Sequence, residues 1–170
     1  MLSQFIQDIL FSAIAAIGFS AISNPPRQAY YYCAVIAAAG HSTRFLLMHT
    51  PIFQLHIVTA TAIAALLTGF LAVILSPRAK MPAETCLYPA LLPMVPGIYA
   101  YRTFGGLMMC LFHSSESEFN HYFYLFASNG LTCLFILTVM ATGATVPIFI
   151  MKKISFQSTR RNGEQLHDIS

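Results

Sequence analysis

Five apolar stretches, separated by short polar ones, run along the chain. Phe5 to Ser23 is the first, interrupted only by Asp8 near its start. Asn24-Pro25-Pro26-Arg27 then forms a polar turn, and Gln28 to Met48 is the second stretch, closed by His49-Thr50-Pro51. Leu55 to Leu75 is the third, followed by a basic, proline-containing loop from Ser76 to Pro82. Leu87 to Phe112 is the fourth, His113 to His121 a polar loop with Glu116 and Glu118, and Tyr122 to Met151 a long fifth. Each run matches the roughly 20 residues that cross a bilayer. The pattern predicts an all-α, polytopic membrane protein with five transmembrane helices over residues 1–151. Residues 152–170 form a polar cytoplasmic tail whose end is expected to be disordered.

The fourth stretch cannot be one helix. Pro93 and Pro96, with Gly97 after them, each interrupt the hydrogen-bond ladder or weaken it. Within a membrane such backbone is tolerated only where protein or a cavity surrounds it. A helix restarting near Gly97 directs its positive end at the break, and Arg102 follows five residues on. Broken helices of this kind build anion and substrate sites in transporters.

Composition agrees with the pattern. Of 170 residues, 56% are hydrophobic and only 9% charged, against about 25% charged in soluble domains. Mean hydropathy is +0.65. Met1 to Asp8 carry no Lys or Arg, so no signal peptide is expected. Cys33, Cys86, Cys110 and Cys133 form no CxxC pair and read as buried apolar thiols. The net charge of +3 follows topology and implies no nucleic acid. With five spans, Arg27, Arg78, Lys80, Lys152, Lys153, Arg160 and Arg161 all fall on one side, and the other side has no Lys or Arg. The N-terminus is therefore expected outside and the C-terminus in the cytoplasm.

Two basic residues remain inside spans, Arg44 and Arg102. Of the acidic residues only Asp8 reaches the apolar layer, so one positive charge is left for a substrate or a partner's carboxylate. Arg44 lies roughly 6 Å from the outer end of its span, where snorkelling, a salt bridge to Asp8 and a cavity role are all open. Arg102 lies roughly 15 Å from the end of its span, which favours a cavity-facing or paired role. His41 shares a helical face with Arg44, and either carries a proton, touches substrate or is a structural hydrogen-bonding residue. Tyr99 and Tyr101 flank the break; Asn129 offers an amide for substrate or for a neighbouring helix. Ala60 and Ala64, Ala65 and Gly69, and Ser12, Ala16 and Ser20 have the spacing of close helix contacts. No GxGxxG, Walker lysine, HExxH or GxSxG occurs. A haem bridging His41 and His56 is the weakest alternative, because His56 lies near the outer end of its span.

The segments Ile17-Gly18-Phe19 with Asn24-Pro25-Pro26-Arg27, Gly40-His41-Ser42-Thr43-Arg44, Leu92-Pro93-Met94-Val95-Pro96-Gly97-Ile98 and Ser128-Asn129-Gly130-Leu131-Thr132 occur in this order across most of residues 10 to 148. In them the chain resembles the small subunit of the threonine/serine exporter family, in which one transporter is split into a large and a small membrane subunit. The longer tail and the insert around His113 to Asn120 depart from the family pattern without touching those segments.

The resemblance implies a bacterial inner-membrane protein, no enzyme, no cofactor or metal, and a larger membrane subunit as partner. It implies proton-driven export of threonine and serine or, for split members, of succinate-like dicarboxylates. No carboxylate is placed along the sequence to hold an amino group, which favours a dicarboxylate. The expected substrate-binding residues are Arg102, Gly97, Pro96, Pro93, Tyr99, His41, Arg44 and Asn129, with Arg102 and the helix restart holding a carboxylate. The alternative is a non-transporting assembly subunit, in which Arg102 pairs with a carboxylate of the partner. Self-association is also open, because an odd number of spans holds no internal inverted repeat.

Overall fold

The computed structural model describes residues 2–51, 53–79, 81–112 and 115–151. Among them are six α-helices and no strand: α1 (Leu2–Ile22), α2 (Arg27–His49), α3 (Ile57–Ala79), α4 (Ala83–Leu91), α5 (Gly97–Phe112) and α6 (Glu116–Ile150), with a 3₁₀ turn at Leu92–Met94 between α4 and α5. The all-α expectation holds. Lys80, His113 and the tail at 152–170, with its basic residues, lie outside the described residues.

Among the described residues, three helices are long and apolar enough to cross a membrane: α1, α3 and α6. The second predicted span is a helix of 23 residues, but it carries Arg27, His41 and Arg44. The fourth is divided as its prolines require, into pieces of 9 and 16 residues that are individually too short to cross. Several boundaries differ from the sequence pattern: α1 begins at Leu2 and α4 at Ala83, ahead of the expected Phe5 and Leu87, and two others change what the segment is. Glu116 to His121, expected as loop, is the first part of α6, because Ser115 caps it: its Oγ accepts from the Glu118 N–H and donates to the Glu118 carboxylate at 2.7 Å. Ser115 is thus a side-chain N-cap of α6. The basic loop after Leu75 is helical as far as Ala79.

That last extension passes through Pro77, which has no N–H to give the Val73 carbonyl. The Ser76 hydroxyl donates to that carbonyl instead, at 3.0 Å. Pro89 inside α4 frees the Thr85 carbonyl in the same way, and the Cys33 thiol of α2 approaches it at 3.9 Å. At Pro77 and Pro89 neighbouring groups thus approach the released acceptors.

The short helix α4 packs against α1, α2 and α3, and its Ala83, Cys86, Leu87 and Ala90 are fully buried. Small side chains let the helices approach closely, as the spacing predicts: Ser12, Ala16 and Ser20 on α1, and Ala60, Ala64, Ala65 and Gly69 on α3, are all buried. Two glycines mark the α3–α6 seam. A side chain on Gly69 would strike the Ala144 carbonyl, and one on Gly143 would press on Ala62 and Ala65. The two parts of α6 thus serve different neighbours. Its C-terminal part, around Gly143 to Pro147, lies on α3. Its N-terminal part lies on α5, where Gly106 faces the backbone at Tyr122 and Phe126 and Thr103 meets Gly130. The outer surface is rich in large apolar side chains, among them Leu10, Phe11, Ile74, Phe104, Leu134 and Phe149, as a chain embedded in lipid requires.

Candidate functional site

The site is assembled where the α4–α5 path breaks. Val95 is extended, at φ −58° and ψ 131°, the conformation imposed on a residue before proline. Its N–H donates to the Leu92 carbonyl at 3.1 Å, and the Gly97 N–H donates to the Val95 carbonyl at 2.8 Å. The ladder resumes with the Ala100 N–H on the Pro96 carbonyl. In an unbroken helix the Met94 carbonyl would receive the N–H of residue 98. Here the Arg44 guanidinium donates to it through Nη1, at 3.1 Å.

Arg44 reaches the break from α2, and Gly40 one turn earlier makes room for the contact. A side chain at Gly40 would collide with the Thr68 hydroxyl and touch the Met94 sulfur. With glycine there, α2 lies against α3 and Met94 is fully buried beside it. His41 follows and is 5% exposed. Its Nδ1 lies 3.3 Å from Asp8 Oδ2 on α1 and 3.5 Å from Arg44 Nη2. Its Nε2 is buried without a hydrogen-bond partner among the described residues.

One nitrogen facing both a carboxylate and a guanidinium has a chemical consequence. With a proton on Nδ1, the ring donates to Asp8; without it, the lone pair accepts from Arg44. The position of a single proton therefore selects which neighbour His41 holds.

A cavity of about 340 Å³ opens at this point, lined among others by Asp8, Arg44, Pro93, Pro96, Gly97 and Tyr99. Its size is at the lower end for small-molecule sites, about 300–1,000 Å³. The first turn of α5 forms part of the wall, and the leading N–H groups of a helix have no partner within the helix. One wall thus offers a guanidinium and helix-end donors, and Asp8, with its side chain 31% exposed, offers a carboxylate.

Five of the residues expected from the sequence, Arg44, Pro93, Pro96, Gly97 and Tyr99, line this cavity, and His41 lies beside Arg44. Arg102 and Asn129 are not brought to it. Arg102 is exposed on α5. The Asn129 amide donates to the Leu125 carbonyl of its own helix at 2.7 Å. Of the alternatives left open for Arg44, the salt bridge to Asp8 is not formed; Asp8 contacts His41 instead.

Asp8 is absent from the residues expected at the site, yet it lines the same cavity as Arg44, so a carboxylate faces that space as well as a guanidinium. The available signal was its position near the start of the first span, level with Arg44 near the end of the second.

Comparison with known proteins places the chain among relatives. The family model described as "Threonine/Serine exporter, ThrE" matches residues 8–150. A protein of Haemophilus influenzae, described as an uncharacterized protein, is 35% identical over 144 residues, covering 85% of this chain and 46% of its own length. The chain thus spans about half the length of that curated relative. No solved structure matches. With the match running from Asp8 through every helix to Ile150, the chain belongs to the threonine/serine exporter family.

Proposed function

We propose that the chain is the small subunit of a two-part secondary transporter that exports a small carboxylate metabolite, and that the cavity at the helix break is its substrate site. The observation that carries this reading is that Arg44 and Asp8 line one cavity at a broken helix. Arg44 takes the substrate carboxylate together with the N–H groups of Ile98 and Tyr99, since those of Gly97 and Ala100 are already spent on Val95 and Pro96. Asp8 takes an ammonium. A guanidinium and a carboxylate around one small cavity suit a zwitterionic amino acid better than a dicarboxylate, so threonine or serine is the preferred cargo and succinate the second.

His41 supplies the coupling to protons. A protonated Nδ1 occupies Asp8; a substrate ammonium competes for the same carboxylate. Proton and amino acid then bind in alternation, as exchange of an inward proton for an outward substrate requires. Pro93, Pro96 and Gly97 hold the break open, and Tyr99 lends its hydroxyl at the rim.

The membrane arrangement belongs to the same proposal. Residues 1–151 form one transmembrane domain of five crossings in the bacterial inner membrane, with α4 and α5 counted as one broken crossing. The N-terminus is outside and the C-terminus cytoplasmic. In support, the beginning of α1 (Asp8), the end of α2 (His49) and the beginning of α3 (Ile57) meet at one cavity, as alternating crossings demand. The larger partner finds support in the relative that is twice as long as the match.

The test is efflux from cells expressing this chain with and without the larger family subunit of the same genome, loaded with labelled threonine or labelled succinate. Threonine efflux only when both are present supports the reading; succinate efflux alone moves the cargo to the dicarboxylate. Efflux of neither above the empty-vector rate sinks it.

A further inference from the structure

The arm formed by α5 and the N-terminal part of α6 is covered on one side only. Thr103 and Gly106 of α5 press on α6, and α5 has no other extensive neighbour among the helices. The remaining faces carry Ile98, Tyr101, Phe104 and Leu111, between 67% and 79% exposed. In the middle of them stands Arg102, exposed, with no hydrogen bond or ion pair among the described residues. Exposed apolar side chains continue past it to Phe112, ten residues or roughly 15 Å further along the helix. Beside it, between α5 and α6, runs a shallow apolar groove of about 300 Å³, lined by Ala100, Thr103, Phe104, Gly130 and Leu134 among others.

An apolar arm would be at rest in lipid, but a guanidinium in its centre would not. A bare charge on a hydrocarbon-facing helix is costly, and such groups pair with an opposite charge or face the protein interior. Among the described residues none supplies the opposite charge. Asp8 is held by His41, Glu84 lies in the first turn of α4, and Glu116 and Glu118 lie by the far end of α5. A second copy fails for the same reason. Helix α5 contains no acid, and Glu116 and Glu118 stand beside the end of α5, where Phe119 meets Cys110, so in a copy at the same depth they would lie roughly 15 Å from Arg102 along the helix direction.

We infer that the outer face of the α5–α6 arm is the docking surface for a transmembrane helix of the larger subunit, and that this helix bears an aspartate or glutamate level with Arg102. Its apolar side chains fill the groove at Gly130, and its carboxylate neutralises the guanidinium. The inference rests on the two-subunit reading above, and it gives Arg102 a recognition role separate from the Arg44 cavity. Charge complementarity selects a different polypeptide over a second copy, and the extra length of the Haemophilus relative is consistent with a missing neighbour.

The experiment is co-purification in mild detergent of the tagged full chain with the larger family subunit of the same genome. Wild type and Arg102→Lys should bring the subunit down equally, and Arg102→Glu should lower the yield about tenfold or more. One Asp→Lys or Glu→Lys change in a span of the large subunit should restore the yield with Arg102→Glu and depress it with wild type. Arg102→Leu should lose the partner while leaving the isolated chain as stable as wild type or more so, which separates docking from folding. Unchanged co-purification of Arg102→Glu overturns the inference, as does a loss that no partner substitution rescues, or a wild-type chain that purifies only with itself. Efflux is not the readout, so an interface elsewhere would leave the transport reading standing.

Discussion

The Arg44 guanidinium lies 3.1 Å from the Met94 carbonyl, joining α2 to the turn that interrupts α4 and α5. The contact satisfies an acceptor that the break at Val95 and Pro96 releases. It also orients the guanidinium, which has five N–H donors in a fixed plane and spends only part of them on Met94 and His41. The remainder is available at the cavity wall. A residue that fixes the broken backbone therefore presents charge to the same space.

Replacing Arg44 should separate these two duties. Arg44→Ala removes a charge-assisted contact of about 1.5–3 kcal/mol, so efflux should fall roughly ten- to hundredfold. Arg44→Lys keeps the charge but loses the fork, and a point charge cannot hold Met94 and a carboxylate together. It should retain the melting temperature better than the transport rate. Equal efflux from wild type and Arg44→Ala, with both chains inserted, would refute the assignment of the site.

Asp8 and His41 should govern proton dependence. Asp8→Asn removes the ammonium partner, so threonine efflux should drop while any succinate efflux is spared. If His41 carries the proton as proposed, His41→Gln should flatten the response of efflux to external pH. The check is initial efflux rate over a range of external pH. A His41→Gln profile with the wild-type shape would assign proton coupling elsewhere.

Gly40 should tolerate no side chain. Gly40→Leu drives into Thr68 and Met94, and overpacking of this kind costs about 1–3 kcal/mol. Gly18, on α1, has nothing within reach of an added carbon and serves as the control. Thermal unfolding in detergent should separate the two, with Gly18→Ala matching wild type and Gly40→Leu melting lower.

The Ser76–Pro77 pair offers a double-mutant cycle. Ser76→Ala strands the Val73 carbonyl, because Pro77 has no N–H to give it, and should cost about 1 kcal/mol. With Pro77→Ala in place, the new N–H can reach Val73 and the same serine change should cost close to nothing. Additive costs in the two backgrounds would show that the hydroxyl does not stand in for the missing donor.

The sequence by itself determined that this is a helical membrane protein, that its fourth apolar stretch is broken at Pro93, Pro96 and Gly97, and that Arg44 and Arg102 stand inside apolar segments. Those properties depend on local composition and on the backbone chemistry of proline, which no neighbour alters. His41 and Arg44 could be placed on one face because three residues along a helix fix that relation, and the two do meet at 3.5 Å.

The tertiary structure decided which arginine faces the break. Arg102 is near it in sequence, yet α5 packs through Thr103, Gly106 and Cys110, a stripe of small residues that turns Arg102 aside. Arg44 is fifty residues from Met94 in the chain and reaches it because Gly40 lets α2 come close. Asp8 joins the same cavity from α1. Contacts of such long separation depend on how three helices pack, and the spacing within any one segment does not encode them.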